Sequence, residues 1–391
     1  MKYHVIVAGG GLIGTAATYY LARAGANVTL VEADDIAAGT SGACDRAIML
    51  QSKAPGPLLH LALQSAKLYK ELTEELAAEL EYRECGGMIL LESEQELEWV
   101  KAHVERQRQA GLNVQLLAAE EVRKRQPRLS AHIVGATWWE HDAEVNPLHL
   151  CFALARAAQR LGAKIRLGTP VTGLITEGER VVGVAAGGEK LYADAVVLAL
   201  GVWTPQLLQP LQIDVPILPR RGQILVSERL PAFVSCNILG GSYIAAKMAR
   251  QHTSAANPQG VALSLGQTGS GTLLIGGSRE FAGYERKTSV EVTRTIAQTA
   301  VRFFPFLANV RILRTFAGLR PYTPDGMPII GQVAERPGLY LAAGHEGDGV
   351  ALSPITGKLI AEAACGMEPS IDLSPFSLSR FTTKANHPRK E

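Results

Sequence analysis

The sequence predicts an α/β domain with a parallel sheet, whose segments alternate along the chain with those of a β-rich domain. The chain opens with an apolar strand, a glycine-rich turn and a helix. Wholly apolar runs recur at 195–200 and 339–343, as expected of strands that are buried on both faces of a parallel sheet. From Pro216 to Gly318 the chain changes to short β-type segments. This order predicts two domains with interleaved segments.

The first strand is predicted over His4–Ala8, and the helix that follows the turn over Ile13–Ala24. Between them, Gly9, Gly11 and Gly14 supply the pattern G-x-G-x-x-G. The first glycine allows the tight turn, the second lets the backbone approach a pyrophosphate, and the third lets helix and strand pack closely. The free N–H groups and the partial positive charge of the helix N-terminus attract phosphates.

The second strand, predicted over Asn27–Val31, ends at Glu32, eighteen residues after Gly14. A carboxylate at this position accepts hydrogen bonds from a ribose diol, and it repels a 2′-phosphate. The glycine pattern alone is weak evidence, but here it follows a strand, opens a helix and precedes an acid. The sequence therefore predicts that the chain binds a dinucleotide.

The remaining elements follow from hydrophobic periodicity and from turn residues. Helices are predicted at 58–80, 94–125, 147–161, 290–304 and 354–365. Further strands are predicted at 88–91, 136–141, 163–167, 171–176, 180–185, 223–227, 242–247, 261–265 and 272–276. We assign residues 1–83, 142–217 and 318–382 to the nucleotide-binding domain, 84–141 and 218–317 to the second domain, and 383–391 to a tail.

Composition excludes several classes of protein. The 391 residues are 47% hydrophobic and 19% charged, with a net charge of +2 and no basic stripe, which argues against nucleic-acid binding. The cysteines are odd in number and scattered, which argues against a disulfide framework and against a metal site: Cys44, Cys85, Cys151, Cys236 and Cys365. Met1 leaves no room for a signal peptide before the first strand, and no apolar run approaches transmembrane length. We therefore expect a reduced, cytoplasmic protein without a membrane span.

Further motifs stand in a fixed order after the glycine turn. They are Thr40-Ser41, Ala199-Leu200-Gly201-Val202-Trp203, Arg221-Gly222-Gln223, Gly318-Leu319-Arg320-Pro321, Thr323-Pro324-Asp325-Gly326, Pro328-Ile329-Ile330-Gly331, and Gly344-His345 with Gly347, Gly349 and Thr356-Gly357. In number and order they resemble the motifs of the D-amino acid oxidase superfamily of flavoproteins. That superfamily includes glycine and sarcosine oxidases and the FAD subunits of multi-subunit amino acid or opine dehydrogenases and of hydrogen cyanide synthase.

The resemblance implies a Rossmann-like FAD-binding domain, with an interleaved substrate-binding domain built on a mixed antiparallel sheet. It also implies non-covalent FAD, because Gly318 stands where sarcosine oxidases carry the cysteine that anchors flavin. The FAD contacts that it implies are Gly9, Gly11, Leu12, Ile13, Gly14, Glu32, Ala33, Thr40, Ser41, Arg46, Val171, Gly201, Trp203, Arg320, His345, Gly347, Gly349 and Val350.

The chemistry that the resemblance implies is hydride transfer to flavin N5 from the carbon alpha to an amine, without a strong general base. Arg320 is expected to hold the substrate carboxylate bidentately. Tyr243, on the strand predicted at 242–247, is expected to cover that carboxylate. The N-terminus of the last helix, around Gly349 and Val350, would stabilise negative charge on reduced flavin. His345 is expected to contact flavin without transferring a proton.

Three functions remain open on the sequence alone. The leading one is an FAD-dependent amino acid or secondary amine dehydrogenase, alone or as one subunit of a hetero-oligomer, because 261–281 resembles the dehydrogenase FAD subunits. The second is a stand-alone glycine, sarcosine or D-amino acid oxidase that makes H2O2; Leu274 stands where monomeric sarcosine oxidases have an oxygen-activating lysine. The third is a subunit whose FAD serves structure or electron relay. The pair Asp45-Arg46, which departs from the family pattern near the flavin, leaves the substrate undefined.

Overall fold

A computed structural model describes residues 3–248, 257 and 259–382, so the predicted tail 383–391 lies outside the described residues. In chain order the strands are β1 His4–Ala8, β2 Asn27–Val31, β3 Ala47–Ile48, β4 Arg83–Glu84, β5 Gly87–Leu91, β6 Gln115–Ala118, β7 Gly135–Trp139, β8 Ala143–Glu144, β9 Lys164–Arg166, β10 Val171–Glu177, β11 Arg180–Ala186, β12 Glu189–Tyr192, β13 Ala195–Leu198, β14 Leu218–Arg229, β15 Asn237–Gly240, β16 Ser264–Gln267, β17 Thr272–Gly276, β18 Ile312–Tyr322, β19 Ile329–Gln332 and β20 Leu339–Ala343. The α-helices are α1 Leu12–Arg23, α2 Pro57–Glu75, α3 Glu94–Gln109, α4 Ala119–Arg125, α5 Pro147–Arg160, α6 Thr204–Leu208, α7 Gly241–Met248, α8 Val290–Phe303, α9 Gly349–Ala364 and α10 Ser379–Thr382.

The first layer is a six-stranded sheet in the order β19-β20-β13-β1-β2-β9, which includes the N-terminal strand β1. Its strands pair in parallel except for the edge strand β19, which is antiparallel to β20. Strands β1 and β13 are almost wholly buried, because helices α1, α5 and α9 cover one face of the sheet and the three-stranded sheet β10-β11-β12 packs on the other. Helix α1 packs between this sheet, α5 and α9, and it forms with them the largest apolar cluster of the described residues.

An eight-stranded sheet in the order β18-β14-β17-β16-β15-β5-β7-β6 forms the second layer. Its pairs are antiparallel except β15–β5, so the sheet is mixed. It draws strands from 87–139 and from 218–322, two stretches far apart in sequence. Its longest strands, β14 and β18, pair over most of their length and bring Arg320 opposite Arg220.

One predicted element is of the wrong type, and two others differ in their bounds. Residues 242–247 form helix α7 instead of a strand, because Ala245, Ala246, Lys247 and Met248 favour a helix over the aromatic and branched residues before them. The helical patterns predicted over 94–125 form two helices, α3 and α4, which β6 separates, since Gly111 adopts a φ of +87° after α3 and the chain then pairs with β7. The strand predicted at 261–265 is shifted and covers Ser264–Gln267. Within the described ranges no helix combines the length and the apolar character needed to cross a membrane.

Candidate active site

A cavity of about 590 Å³ opens where the carboxyl ends of the parallel strands face the eight-stranded sheet. Four loops contribute to its lining: Gly9 follows β1, Glu32 follows β2, Gly201 follows β13 and His345 follows β20. In open α/β sheets, ligands bind beyond the carboxyl ends of the strands, at the point where the strand order reverses. The other wall includes Gly222 from β14 and further residues of the eight-stranded sheet.

The glycine turn is built so closely that side chains are excluded from it. Gly9 has a φ of +109°, and a Cβ there would lie 2.5 Å from the carbonyl oxygen of Ala199. A Cβ on Gly14 would lie 1.8 Å from the carbonyl oxygen of Gly9, so this glycine allows α1 to pack on the turn. A Cβ on Gly11 would lie 2.9 Å from Oγ of Ser41. The turn therefore fits the close backbone approach that a pyrophosphate needs.

Two side chains order the backbone around this turn. The carboxylate of Glu32 accepts hydrogen bonds from the backbone N–H groups of Gly10, at 2.5 Å, and of Asp34, at 2.9 Å. The backbone N–H of Leu12, in the first turn of α1, donates to Oγ of Ser41 at 2.9 Å. Glu32 thus stands at the end of β2, where a ribose diol is bound in dinucleotide-binding folds.

The loop between β20 and α9 supplies the last part of the lining. His345 is 4% exposed, and its Nε2 lies 3.0 Å from Oγ1 of Thr356. Burial lowers the pKa of His345 to about 3, only partly offset by the charge of Asp348, so its imidazole is neutral near pH 7. Asp348, just before α9, does not cap the helix but pairs at 2.8 Å with the ammonium of Lys53. The N-terminal N–H groups of α9 and their partial positive charge therefore remain available to an electron-rich ligand.

Arg320 lies on β18 and lines the cavity. Its Nη1 donates to the carbonyl oxygen of Ser278 at 2.9 Å. Burial acts to lower the pKa of Arg320, but Tyr243, Glu346 and Asp45 outweigh it and raise that pKa, so the guanidinium stays charged. A charged, planar fork of donors in the wall of a cavity suits a carboxylate.

The cavity brings together nearly all of the residues that sequence analysis selected. The lining includes Tyr243 and, among the expected cofactor contacts, Gly9, Gly11, Leu12, Ile13, Glu32, Ala33, Thr40, Ser41, Val171, Gly201, Trp203, Arg320, His345, Gly347, Gly349 and Val350. Tyr243 does so from helix α7, so its predicted position on a strand is wrong. Gly14 is not part of the lining, because it packs against the turn beneath it.

Arg46 is the other residue outside the lining. Its Nη1 pairs with the carboxylate of Glu81 at 2.6 Å, and its Nη2 lies 3.8 Å from that of Glu144. Asp45, the residue before Arg46, lines the cavity instead. The structure gives Arg46 these ion-pair partners outside the lining, and a contact between Arg46 and the cofactor stays a prediction.

Sequence reasoning missed several charged residues near Arg320. Arg220, the Cα partner of Arg320 across β14 and β18, forms a short ion pair with Glu346. Arg279 is 5% exposed, and its guanidinium carbon lies 3.7 Å from the ring centre of Tyr243. The alternation of side chains along a strand can indicate on which face of the sheet a residue lies. It does not indicate which segment, distant in sequence, will pack next to that residue. The motif Arg221-Gly222-Gln223 was the sequence feature that could have indicated these residues, because it lies on β14, the strand that pairs with the strand of Arg320.

The described residues contain no cluster of histidine, cysteine and acidic side chains that could hold a metal ion. Cys44 lines the cavity, and its Sγ donates to the carbonyl oxygen of Ser41 at 3.1 Å. Burial strongly raises the pKa of the Cys44 thiol, and the charge of Asp45 adds to the effect. Cys44 is therefore a protonated and weakly nucleophilic thiol.

A glycine turn at the switch point of a parallel sheet, followed by an acid and joined to a cavity on a second sheet, defines a dinucleotide-binding protein. The family model described as FAD dependent oxidoreductase matches residues 4–363. The chain therefore belongs to this family, and it is an FAD-dependent oxidoreductase. The family match also confirms the resemblance to the D-amino acid oxidase superfamily, the fold class and the cofactor.

Relatives align over nearly the whole chain. Glycine oxidase of Geobacillus kaustophilus is 30% identical over 98% of both chains. Hydrogen cyanide synthase subunit HcnC of Pseudomonas aeruginosa is 28% identical over 97% of this chain and 96% of the relative. Among solved structures, L-proline dehydrogenase from P. horikoshii superposes with a TM-score of 0.88, with 25% identity over 98% of both chains.

Proposed function

We propose that this protein oxidises the C–N bond of a small amino acid or secondary amine that carries a carboxylate. The observation that carries the proposal is Arg320, a charged guanidinium held by Ser278 in the wall of a cavity that also contains the dinucleotide turn. The names of the relatives agree, since glycine oxidase and L-proline dehydrogenase act on amino acids.

Residues in different parts of the cavity would bind the cofactor and the substrate. Gly9, Gly11, Ser41 and Glu32 would hold the dinucleotide at the carboxyl ends of β1 and β2. Arg320 would bind the substrate carboxylate and so orient the carbon that bears the amine, and Tyr243 would cover this end of the cavity. Bound FAD supplies the acceptor for a hydride from that carbon.

A base is not required if the amine enters in its neutral form. Near pH 7 the imidazole of His345 is neutral, so it carries a single ring proton. Its Nε2 is engaged with Thr356. We therefore assign His345 to shaping the loop before α9.

We propose that the electrons leave to an acceptor other than oxygen, and that a partner subunit carries them. HcnC is by its name a subunit of a larger enzyme. Leu274 supports the same proposal: it lines a small pocket with Asp45 and Ser264, and it offers no positive charge to stabilise superoxide. The free cysteines of the described residues fit a reducing compartment, and we propose the cytoplasm. A role in electron relay alone is less well supported, because such a subunit would not need Arg320 in its cavity.

The test uses the purified holoprotein, alone and together with the products of neighbouring genes. Glycine, sarcosine, proline and the D- and L-amino acids are mixed with it without oxygen, and the flavin absorbance is followed. We expect bleaching by at least one carboxylated amine, slow reoxidation in air, and fast reoxidation by an artificial dye or the partner. Fast reoxidation in air with stoichiometric H2O2 would make this protein an oxidase. Bleaching by no amine, with FAD fully bound, would overturn the proposed function.

A further inference from the structure

Arg279 is a buried cation that the proposed reaction does not use. It follows β17 and is 5% exposed, and none of its three guanidinium nitrogens has a hydrogen-bond partner among the described residues. By contrast, Arg220 and Arg221 each leave only Nε without a partner. Burying a charge without a partner is costly, so a buried cation with all of its donors unused indicates an anion that completes the site.

The acidic side chains of Glu280 and Glu346 are already engaged with other arginines. Glu280, the next residue, accepts hydrogen bonds from Arg221 at 2.7 Å, from Gln223 at 2.9 Å and from Ser278 at 2.6 Å. Burial acts to raise the pKa of Glu280, but these hydrogen bonds, led by that of Arg221, lower it overall, so Glu280 is ionised and neutralises Arg221. Glu346 pairs with Arg220.

Arg279 is not itself part of the cavity lining, but it contacts Tyr243, which lines the same cavity as Arg320. The two arginines are linked through Ser278, whose carbonyl oxygen accepts from Arg320 and whose peptide bond leads into Arg279. They are also linked through Tyr243: the guanidinium of Arg279 stacks on its ring, and Tyr243 itself lines the cavity. The charge of Arg220 interacts with both arginines. Two cations with donors to spare therefore flank one tyrosine.

We infer that Arg279 binds a second carboxylate of the substrate, so that the substrate class is an amine with two carboxylates. This inference rests on the proposed function, in which Arg320 takes the first carboxylate. The second carboxylate can sit across the nitrogen, as in iminodiacetate, or on the side chain, as in aspartate. Both share the chemistry that Arg279 recognises, a carboxylate that meets a planar fork of donors.

The test measures binding by calorimetry, with probes that cannot be oxidised because they lack the amine. Diglycolate and methoxyacetate are the ether analogues of iminodiacetate and of sarcosine, and they differ by one carboxylate. Succinate and acetate form the matching pair for aspartate and glycine. We expect the holoprotein to bind diglycolate or succinate at least about 30-fold more tightly than its one-carboxylate partner, as for a desolvated charge pair.

Variants separate recognition of the second carboxylate from a structural role of the stacked arginine. Arg279→Gln should remove the preference of about 30-fold and leave the one-carboxylate probe unchanged, while Arg279→Lys should restore part of it. Arg320→Leu should weaken both probes. Arg125→Gln is the matched control, because Arg125 stacks on Trp138 at 4.9 Å, away from the cavity, and it should change neither.

Preference for diglycolate supports a carboxylate across the nitrogen, and preference for succinate supports one on the side chain. Equal binding of the one- and two-carboxylate probes to the wild-type protein would overturn the inference, even if Arg279→Gln does not fold. An equal loss of both probes in Arg279→Gln would overturn it too. Because these probes are not substrates, their binding is measured independently of the proposed function. If monocarboxylic amines bleach the flavin but the two-carboxylate probes bind no more tightly than the one-carboxylate probes, only this inference is contradicted.

Discussion

Arg320 lies directly against Gly222: a Cβ at residue 222 would come within 2.1 Å of Nη1 and 2.6 Å of Nη2 of Arg320. The two residues sit diagonally across the pair β14 and β18, in which Gly222 opposes Gly318 and Arg320 opposes Arg220. The missing side chain makes room for the guanidinium to cross the neighbouring strand. The backbone of two paired strands thus determines where the cation stands.

Gly222→Ala should therefore displace the guanidinium without removing it. We expect the KM for a carboxylated amine to rise roughly 10- to 100-fold, because small misplacements of a positioning group are costly. The measurement is steady-state kinetics with a dye as acceptor. Gly173→Ala is the control, since a Cβ there meets nothing within 4 Å. Equal kinetics for both variants would show that the contact with Gly222 does not position Arg320.

FAD should be bound without a covalent link. Cys44 is the cysteine in the cavity lining, and burial raises the pKa of its thiol, which leaves it protonated. At Gly318 a Cβ would lie 2.6 Å from the carbonyl oxygen of Ala43, so a cysteine would not fit there without a shift of the backbone. Acid precipitation should release all of the yellow colour into the supernatant. Colour in the pellet that disappears in Cys44→Ser would contradict this prediction.

His345 should make the stability of the protein depend on pH below neutrality. Its pKa is about 3 in the folded protein, because of burial, and 6.5 is its ordinary value. The unfolded chain therefore binds a proton between these values and the folded one does not, so stability falls as pH falls through this window. Between pH 8 and pH 5 the loss relative to His345→Gln should be about 2 kcal/mol. Urea unfolding of both proteins at each pH measures it, and parallel curves would rule out a buried neutral histidine.

The buried ion pair between Lys53 and Asp348 should be important for the stability of the fold. Their side chains are 2% and 7% exposed, and the ammonium of Lys53 also donates to the carbonyl oxygen of Met49 at 2.9 Å. Lys53→Met leaves a buried carboxylate without its cation, which should lower the free energy of unfolding by about 3–5 kcal/mol. Lys101→Met, which breaks the exposed pair with Glu98, should cost less than about 1 kcal/mol. Similar losses in the two variants would mean that the buried pair is not strong.

Local patterns were sufficient to predict the nucleotide half of the site. The strand, turn and helix of residues 4–23 are continuous in sequence, and each glycine is required by a contact within the turn or with its immediate surroundings. Separated motifs then identified Arg320 and the loop that contains His345. These predictions depended on residue order more than on three-dimensional packing.

The sequence did not reveal contacts that depend on packing between distant segments. Lys53 and Asp348 are 295 residues apart, and neither stands in a motif that predicts the other. Sequence analysis showed Arg279 only as one residue of a β-type stretch. That its guanidinium has no hydrogen-bond partner among the described residues depends on how Arg221 engages Glu280. Tyr243 lines the cavity but was predicted on a strand and lies on helix α7, since the helix-forming residues follow it.

Arg320 is proposed to hold the carboxylate of the amine that reduces the flavin. The most direct measurement is anaerobic stopped-flow reduction of the flavin by the best carboxylated amine, in the wild-type protein and in Arg320→Leu. We predict a loss of apparent affinity that corresponds to about 2–5 kcal/mol, because the substrate carboxylate is left unpaired, with full FAD content and an unchanged flavin spectrum. An unchanged concentration dependence of flavin reduction in Arg320→Leu would contradict the account and place the substrate elsewhere.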